Sequence, residues 1–384
     1  MSKQLLQKQA DTIRFLAADM VQQANSGHPG APMGLADIAT VLSKHLNVNP
    51  ADEKWLNRDR LVFSGGHATG LVYSLLHLWG FNVSINDIKN FRQTHSKTPG
   101  HPEYGHTHGI EITTGPLGQG IANAVGFAMA GKYAQNLLGS DVINHKVYCL
   151  CGDGDLQEGI SYEATATAGH LKLDNLVIIY DSNSITIEGD TSISWSENVK
   201  KRFQAIDFEV IEIDGHNFDQ IDKALVAAKS STLPVLIIAK TAIAKGAVTM
   251  EGSHHSHGAP LGEDEIAKSK EKAGFDPLIV GSTAQNAWTE SLSAETKAKI
   301  EELKNPNFDS IVYPTFEADS SVATRDSNHK ILNAIAKAIP GFLGGSADLA
   351  PSNKTELKDM GDFPNGRNIH FGIKEHAMAA ITNA

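Results

Sequence analysis

The sequence holds only two cysteines, Cys149 and Cys151, in 384 residues. They stand two apart in an apolar run, so on a strand both share one face; that suits buried thiols better than a disulfide and fits a reducing compartment. No apolar run approaches the ~20 residues that a membrane-spanning helix needs, and no charged-then-apolar leader is legible at the start. A soluble cytoplasmic protein with no membrane partner is expected. A basic excess is also missing: 33 Lys and Arg against 44 Asp and Glu leave a formal charge of -11. Without a basic face to release counterions from phosphates, nucleic acid is not an expected partner, and any anionic ligand has to be held by a local site. Repeats and low-complexity segments are absent as well.

What is present is a hydrophobic fraction of 41%, enough to supply cores. The length exceeds the ~250 to 300 residues over which one core keeps growing, so at least two domains are expected. Apolar, β-rich runs at Val147 to Cys151, Leu176 to Tyr180, Val210 to Ile213 and Val235 to Ala239 alternate with helical stretches such as Glu158 to His170 and Phe218 to Lys229. Continuous apolar strands alternating with helices predict an α/β fold with a parallel sheet flanked by helices. Helices are also expected over Lys3 to Asn25, about Leu117 to Leu137, and most of Ala284 to Asn305. A polar linker, Phe308 to Ser321, leads to the start of a second α/β domain. That unit opens with a helix from Ser327 to Ala338, an apolar strand at Phe342 to Leu343 and a Gly-Ser-Asp turn, and it ends in helical composition from Glu375 to Ala384. A unit of about 60 residues with a short sheet buries little, so the last domain is expected to be incomplete.

The most informative motif is Gly152-Asp153-Gly154-Asp155, directly after the first long strand; the next strand ends in Asp181-Ser182-Asn183. Open parallel sheets bind ligands at the carboxyl ends of their strands. Asp153 and Asn183 are therefore candidate ligands for a hard cation, Mg²⁺ or Ca²⁺, whose remaining positions carbonyl, water and phosphate oxygens would fill. The two glycines let the backbone approach a phosphate, and the helix N-terminus behind them favours its charge. Alone, Gly-Asp-Gly is an ordinary strand-to-helix turn. Paired with Asn183 it describes a clamp for a metal and a diphosphate. An EF-hand fails because Gly159 falls at position seven, one late for the sharp turn, and an apolar strand precedes the motif. Gly115-x-x-Gly118-x-Gly120 has the wrong spacing for a dinucleotide fingerprint.

Several histidines sit beside Gly or Pro in short polar loops: His28, His67, His101, and His254, His255 and His257. Such loops position functional side chains, whereas His45, His77 and His170 read as structural. Zinc at His101, His106 and His108 is disfavoured, since no cysteine is near and no helical i, i+4 pair exists.

With these residues in place the sequence resembles the transketolases over essentially its whole length. Gly152-Asp153-Gly154 through Asn183 is similar to the thiamine-diphosphate motif of a broad superfamily. Narrower resemblance lies in Ser26 to Gly34, Thr114 to Asn123, Ser256 to Gly262, Gly344 to Asn353 and Gly372 to Met378. The resemblance implies a ketol transferase that moves a two-carbon unit from a ketose phosphate such as xylulose 5-phosphate to an aldose phosphate such as ribose 5-phosphate. It implies thiamine diphosphate and Mg²⁺ or Ca²⁺ as cofactors, and a homodimer with shared active sites. Asp153, Asn183 and the carbonyl of Ile185 would hold the metal; Gly154 and His67 would touch the diphosphate; Gly115 and Leu117 would offer backbone groups to the aminopyrimidine. His28, His67, His101 and His257 would line the channel, with His28 and His257 taking part in catalysis. Arg325 and Ser352 would bind substrate phosphate, and Asp348 would lie near the cofactor and the subunit contact. Glu375 would be the catalytic carboxylate and Glu158 its networking partner. On this basis residues 1–305 form a diphosphate-binding domain, 306–323 a linker, and 324–384 an incomplete pyrimidine-binding domain.

The sequence departs from the family at Asp155, where cysteine is usual, and slightly around Gly66-His67-Ala68-Thr69. The rest of the pyrimidine-binding domain and a third domain are not in it. Dihydroxyacetone synthase, which uses formaldehyde as acceptor, is the nearest enzymatic alternative. A cofactor-binding or assembly subunit without turnover of its own is the other.

Overall fold

The structure is a computed structural model and describes residues 2–275 and 292–384. Its frame is a five-stranded parallel sheet in the order β1-β2-β3-β7-β6. These strands are β1 (Arg60–Phe63), β2 (Val147–Gly152), β3 (Leu176–Ser182), β6 (Glu209–Asp214) and β7 (Val235–Lys240), with a small antiparallel pair, β4 (Ile185–Thr186) and β5 (Gly189–Asp190), after β3. The three central strands are apolar on both faces because both are covered, as expected from their unbroken hydrophobic runs. Alternation along β2 sends Tyr148 and Leu150 into one core, where they meet Leu35, Ile38 and Leu71. It sends Val147, Cys149 and Cys151 into the other, with Ile121, Val125 and Ala164. Both cysteines are free, buried and on one face.

Helices α1 (Lys3–Ala24), α2 (Gly30–Leu42) and α3 (Thr69–Leu78) pack together on the first face. They are followed by a short α4 (Ile85–Lys89). On the second face lie α5 (Gln119–Leu138), the single turn α6 (Asp153–Gln157) and α7 (Gly159–His170). Helix α7 ends in close contact with the chain after α8 (Val199–Ala205): a Cβ built on Gly169 would stand 1.7 Å from the Ile206 carbonyl oxygen. Backbone cannot yield there as a flexible side chain would. Gly169→Ala is therefore expected to lower stability by about 3 kcal/mol, read as a fall in the urea midpoint at unchanged slope.

The chain continues through α9 (Phe218–Ser230) and α10 (Glu263–Ala273) to α11 (Ala294–Lys304). Of the helix expected from Ala284, residues 284–291 lie outside the described residues. Residues 306–323 carry one 3-10 turn, Phe308–Ser310, and mostly exposed side chains. Helix α12 spans Thr324–Ala338, three residues earlier than the expected start at Ser327. The strand expected at Phe342 to Leu343 is displaced: β8 is Gly344–Ser346, paired in parallel with β9 (Asn368–His370). Glycine is needed in β8 because a Cβ on Gly345 would stand 2.6 Å from the Ile369 carbonyl oxygen. After α13 (Ala350–Asn353), the last helix, α14 (Glu375–Ile381), returns to the main body and packs on α5 and α7. Asn123 donates to the Ala380 carbonyl at 2.8 Å and the Ala377 N–H donates to Glu163 at 2.9 Å. Among the described residues no helix is long and apolar enough to cross a membrane.

Candidate functional site

The carboxyl ends of β1, β2 and β3 open onto a cavity of about 420 Å³. Its lining includes His28, His67, Gly115, Leu117, Asp153, Gly154, Asn183, Ile185 and His257, so nine residues singled out in the sequence converge here. His101 is exposed and lines an adjoining hollow with Thr114 and Gly115. Glu158 caps α7 beside the missing side chain of Gly118, whose Cβ would stand 2.8 Å from the Glu158 Cβ. Arg325, Asp348, Ser352 and Glu375 are exposed and are not among the lining residues within one chain.

At the end of β2, Asp153 begins α6. Its carboxylate accepts from the Tyr180 hydroxyl at 2.5 Å and from the Ser184 N–H at 3.1 Å. Burial pushes it up to about 6. At the end of β3, Asp181 is buried too and pushed up to about 7, by burial first and by the neighbouring Asp153 charge as well. It accepts from the Thr241 hydroxyl and from the Asn183 amide, the latter at 2.9 Å. Asn183 in turn accepts from the Ile185 N–H at 2.9 Å, which closes the turn that presents both residues. Neither buried carboxylate has an ion-pair partner among the described residues. Two such groups at the mouth of a cavity fit a divalent cation, since a cation would supply the missing countercharge. Among the described residues no three His, Cys, Asp or Glu side chains form a metal cluster, so the candidate set is one carboxylate, one amide and one carbonyl.

Asp181 was not singled out in the sequence, although it stands in the same Asp-Ser-Asn run as Asn183. The position of Asp155 is also informative. Its carboxylate is fully enclosed and accepts from the Ser64 hydroxyl at 2.7 Å, the Gly118 N–H at 2.8 Å and the Gly152 N–H at 2.9 Å. It thereby ties three loops together: the end of β1, the start of α5 and the turn after β2. Gly118 can take part because it begins α5 with a φ of 77°.

In the lining of the same cavity, His28, His67 and His257 form a triangle with ring centroids 5.2, 5.8 and 5.2 Å apart, His67 stacking on His257. Burial holds His67 down to about 3, with the neighbouring His257, His28 and His101 adding to it, and His28 down to about 4, with His257, Arg92 and His101 adding. Burial lowers His257 as well. All three are neutral near pH 7, so each offers one N–H donor and one nitrogen acceptor. Neutral imidazoles and two buried carboxylates lining one cavity suit a ligand that carries both a metal-bound anionic end and hydroxyl groups.

Comparison with known proteins gives this arrangement a family. The profile described as "Transketolase, thiamine diphosphate binding domain" matches residues 5–320, and "Transketolase, pyrimidine binding domain" matches 320–384. A transketolase of Geobacillus stearothermophilus is 47% identical, aligned over 97% of this chain and 61% of its own length. The crystal structure of transketolase from Campylobacter jejuni superposes with a TM-score of 0.96 at 63% identity, covering 99% of this chain and 63% of that one. A transketolase mutant of Pichia stipitis, solved in complex with xylulose 5-phosphate, gives a TM-score of 0.90 at 40% identity over 98% of this chain and 62% of that one. The chain thus spans a little over three-fifths of the relatives it matches. Over that span, family profiles, fold and sequence identity agree, and the chain belongs to the transketolase family.

Proposed function

We propose that this chain binds thiamine diphosphate through Mg²⁺ or Ca²⁺ and serves the transfer of a two-carbon ketol unit from xylulose 5-phosphate to an aldose phosphate such as ribose 5-phosphate. The observation that carries this reading is the cavity itself, lined by two unpaired buried carboxylates and three neutral histidines. The Pichia stipitis relative solved with xylulose 5-phosphate supports the choice of donor.

Asp153, Asn183 and the Ile185 carbonyl hold the cation, while Gly154 and His67 contact the diphosphate. Gly115 and Leu117 line the cavity and would offer backbone groups to the aminopyrimidine. Bound thiamine diphosphate supplies a nucleophilic carbon and an electron sink for cleaving a carbon–carbon bond next to a carbonyl. The chain's own residues orient the reactants and move protons: His28, His101 and His257 hydrogen-bond sugar hydroxyls and exchange protons with them. Arg325 and Ser352 bind the substrate phosphate, where a guanidinium forms paired, charge-assisted bonds. Glu375, networked with Glu158, holds a proton at the pyrimidine N1' atom, and Asp348 lies near the cofactor at the subunit contact. We assign residues 1–305 to the diphosphate domain, 306–323 to the linker and 324–384 to the pyrimidine domain. The working form is a cytoplasmic homodimer in which two chains share each site.

An active protein containing this chain, loaded with thiamine diphosphate and Mg²⁺, is expected to convert xylulose 5-phosphate and ribose 5-phosphate into a seven-carbon ketose phosphate and glyceraldehyde 3-phosphate. Omission of either cofactor should abolish turnover. A higher kcat/KM with formaldehyde than with ribose 5-phosphate would reassign the chain to dihydroxyacetone synthase. Cofactor binding without turnover on any acceptor would reassign it to a cofactor-binding subunit.

A further inference from the structure

The loop that carries His28 is held by a residue with no part in the reading above. Arg92 lies just beyond α4 with a φ of 60°, and its N–H donates to the Thr98 carbonyl at 2.9 Å. One guanidinium nitrogen, Nη1, donates to Ser26 Oγ at 3.0 Å; the other, Nη2, faces His28 Nδ1 at 3.4 Å. The remaining Nε is buried against Gly100, whose missing Cβ would stand 3.1 Å away. The guanidinium carbon lies 5.5 Å from the centre of the Phe91 ring. That ring closes on Gly27, where a Cβ would come within 3.0 Å of it. The fork is thus fixed by the Ser26 hydroxyl, the Gly100 backbone and the Phe91 ring, and its free arm points at one edge of the His28 imidazole.

A guanidinium can only donate hydrogen bonds. The nitrogen that faces it must therefore carry a lone pair, because an N–H there would oppose an N–H. His28 is neutral near pH 7, held down to about 4 by burial and then by His257, Arg92 and His101. A neutral imidazole has one ring proton, so the proton is left to Nε2. The Nε2 edge lies beside Gly258, whose absent Cβ would be 3.4 Å from it, in the loop that carries His257 into the cavity.

We propose that Arg92 is a positioning residue that fixes His28 as its Nε2–H tautomer, so that this imidazole presents a hydrogen-bond donor to an oxygen of the ligand in the cavity. The identity of that ligand rests on the ketol-transfer reading; the tautomer does not. With the opposite tautomer His28 would offer a lone pair and act as an acceptor or base. Arg92 therefore decides which of the two roles His28 can take, and does so before any ligand arrives.

The test uses this chain labelled with ¹⁵N-histidine, free of cofactor, with long-range proton–nitrogen correlation spectra at pH 7; the signals of His28 are identified by their loss in His28→Gln. The expected wild-type pattern is a protonated Nε2 and an unprotonated Nδ1, in excess over the other tautomer by about tenfold or more, as a charge-assisted hydrogen bond implies. Arg92→Met removes the donor, and Arg92→Gln replaces it with an amide that can accept as well as donate. Either variant that keeps the wild-type circular dichroism spectrum is expected to bring the ratio to within about threefold of unity. A wild-type Nδ1–H pattern would overturn the proposal outright. So would a ratio unmoved in a folded Arg92 variant. Because no turnover is measured, neither outcome depends on whether the chain serves ketol transfer.

Discussion

Glu375→Gln, placed in an active protein that contains this chain, is expected to lower kcat by about 10² to 10⁴, the usual range for removing an acid–base group, while cofactor still binds measurably. Glutamine keeps the length and one acceptor oxygen of the side chain but cannot hold an exchangeable carboxyl proton. Within one chain Glu375 is exposed at the first position of α14 and is not among the residues that line the cavity. Its backbone is nevertheless firmly placed. Ala377, Ala380 and Ile381 are buried against the core shared with α5 and α7, and Asn123 and Glu163 hold the turns of the helix. A carboxylate on an anchored helix, directed outward, suits a site completed by a second chain. The first readout is the rate at which deuterium at C2 of bound thiamine diphosphate washes out. An unchanged rate would remove Glu375 from the activating role. The second is complementation: mixing inactive Glu375→Gln and Asp153→Ala proteins is expected to restore some activity, because one of the two sites in a hybrid dimer carries both native residues. No recovery despite demonstrated subunit exchange would contradict a shared site.

The physical signals behind these assignments differ in how far they reach along the sequence. Strands β2, β3 and β7 were legible because burial on both faces requires an unbroken apolar run, which few other environments demand. Strand β1 was not, since Arg60–Phe63 is only four residues long and sits between Asp59 and Ser64-Gly65-Gly66, which read as a loop. Helix α2 was hidden for the opposite reason: every one of its residues from Gly30 to Leu42 is buried, so it lacks a polar face and its period does not show. Glycine misled at β8, where close approach to Ile369 and Phe371 excludes any side chain and the apolar signal falls two residues early.

The site divides in the same way. Gly152-Asp153-Gly154 and Asn183 announce themselves because sheet topology places successive strand ends side by side, and that follows from element order alone. The triangle of His28, His67 and His257 does not follow from element order. Its members come from three loops, and only the packing of α2, α3 and the segment after β7 brings them within 6 Å. Arg92 and His28 are likewise 64 residues apart and meet only in three dimensions. Asp155 shows the limit of reading charge from sequence: the carboxylate that stands where the family usually has cysteine is bound by two backbone N–H groups and the Ser64 hydroxyl, and it joins the loops that shape the cavity.

Asp153→Ala is expected to weaken thiamine-diphosphate binding by about 10²-fold or more, since replacing even an outer-shell partner of a metal costs about 10- to 100-fold and Asp153 is assigned as a direct ligand. The fold should change little, because two effects oppose each other. Removing Asp153 leaves the Tyr180 hydroxyl and the Ser184 N–H without their acceptor, a cost of about 1–3 kcal/mol for each group that water cannot reach. It also removes a buried carboxylate that has no counter-ion, and with it the repulsion that adds to burial in pushing Asp181 up to about 7. The affinity loss has no such offset: without the bridging cation, the diphosphate would meet the remaining Asp181 carboxylate unscreened. The measurement is calorimetric titration of thiamine diphosphate at several Mg²⁺ concentrations, with a chelator as the zero point. Wild-type affinity is expected to rise steeply with Mg²⁺, whereas the variant should be weak throughout and nearly insensitive to the metal. If the variant kept both the affinity and the Mg²⁺ dependence of the wild type, Asp153 would not be a ligand, and the buried carboxylates at the ends of β2 and β3 would have to be explained as structure.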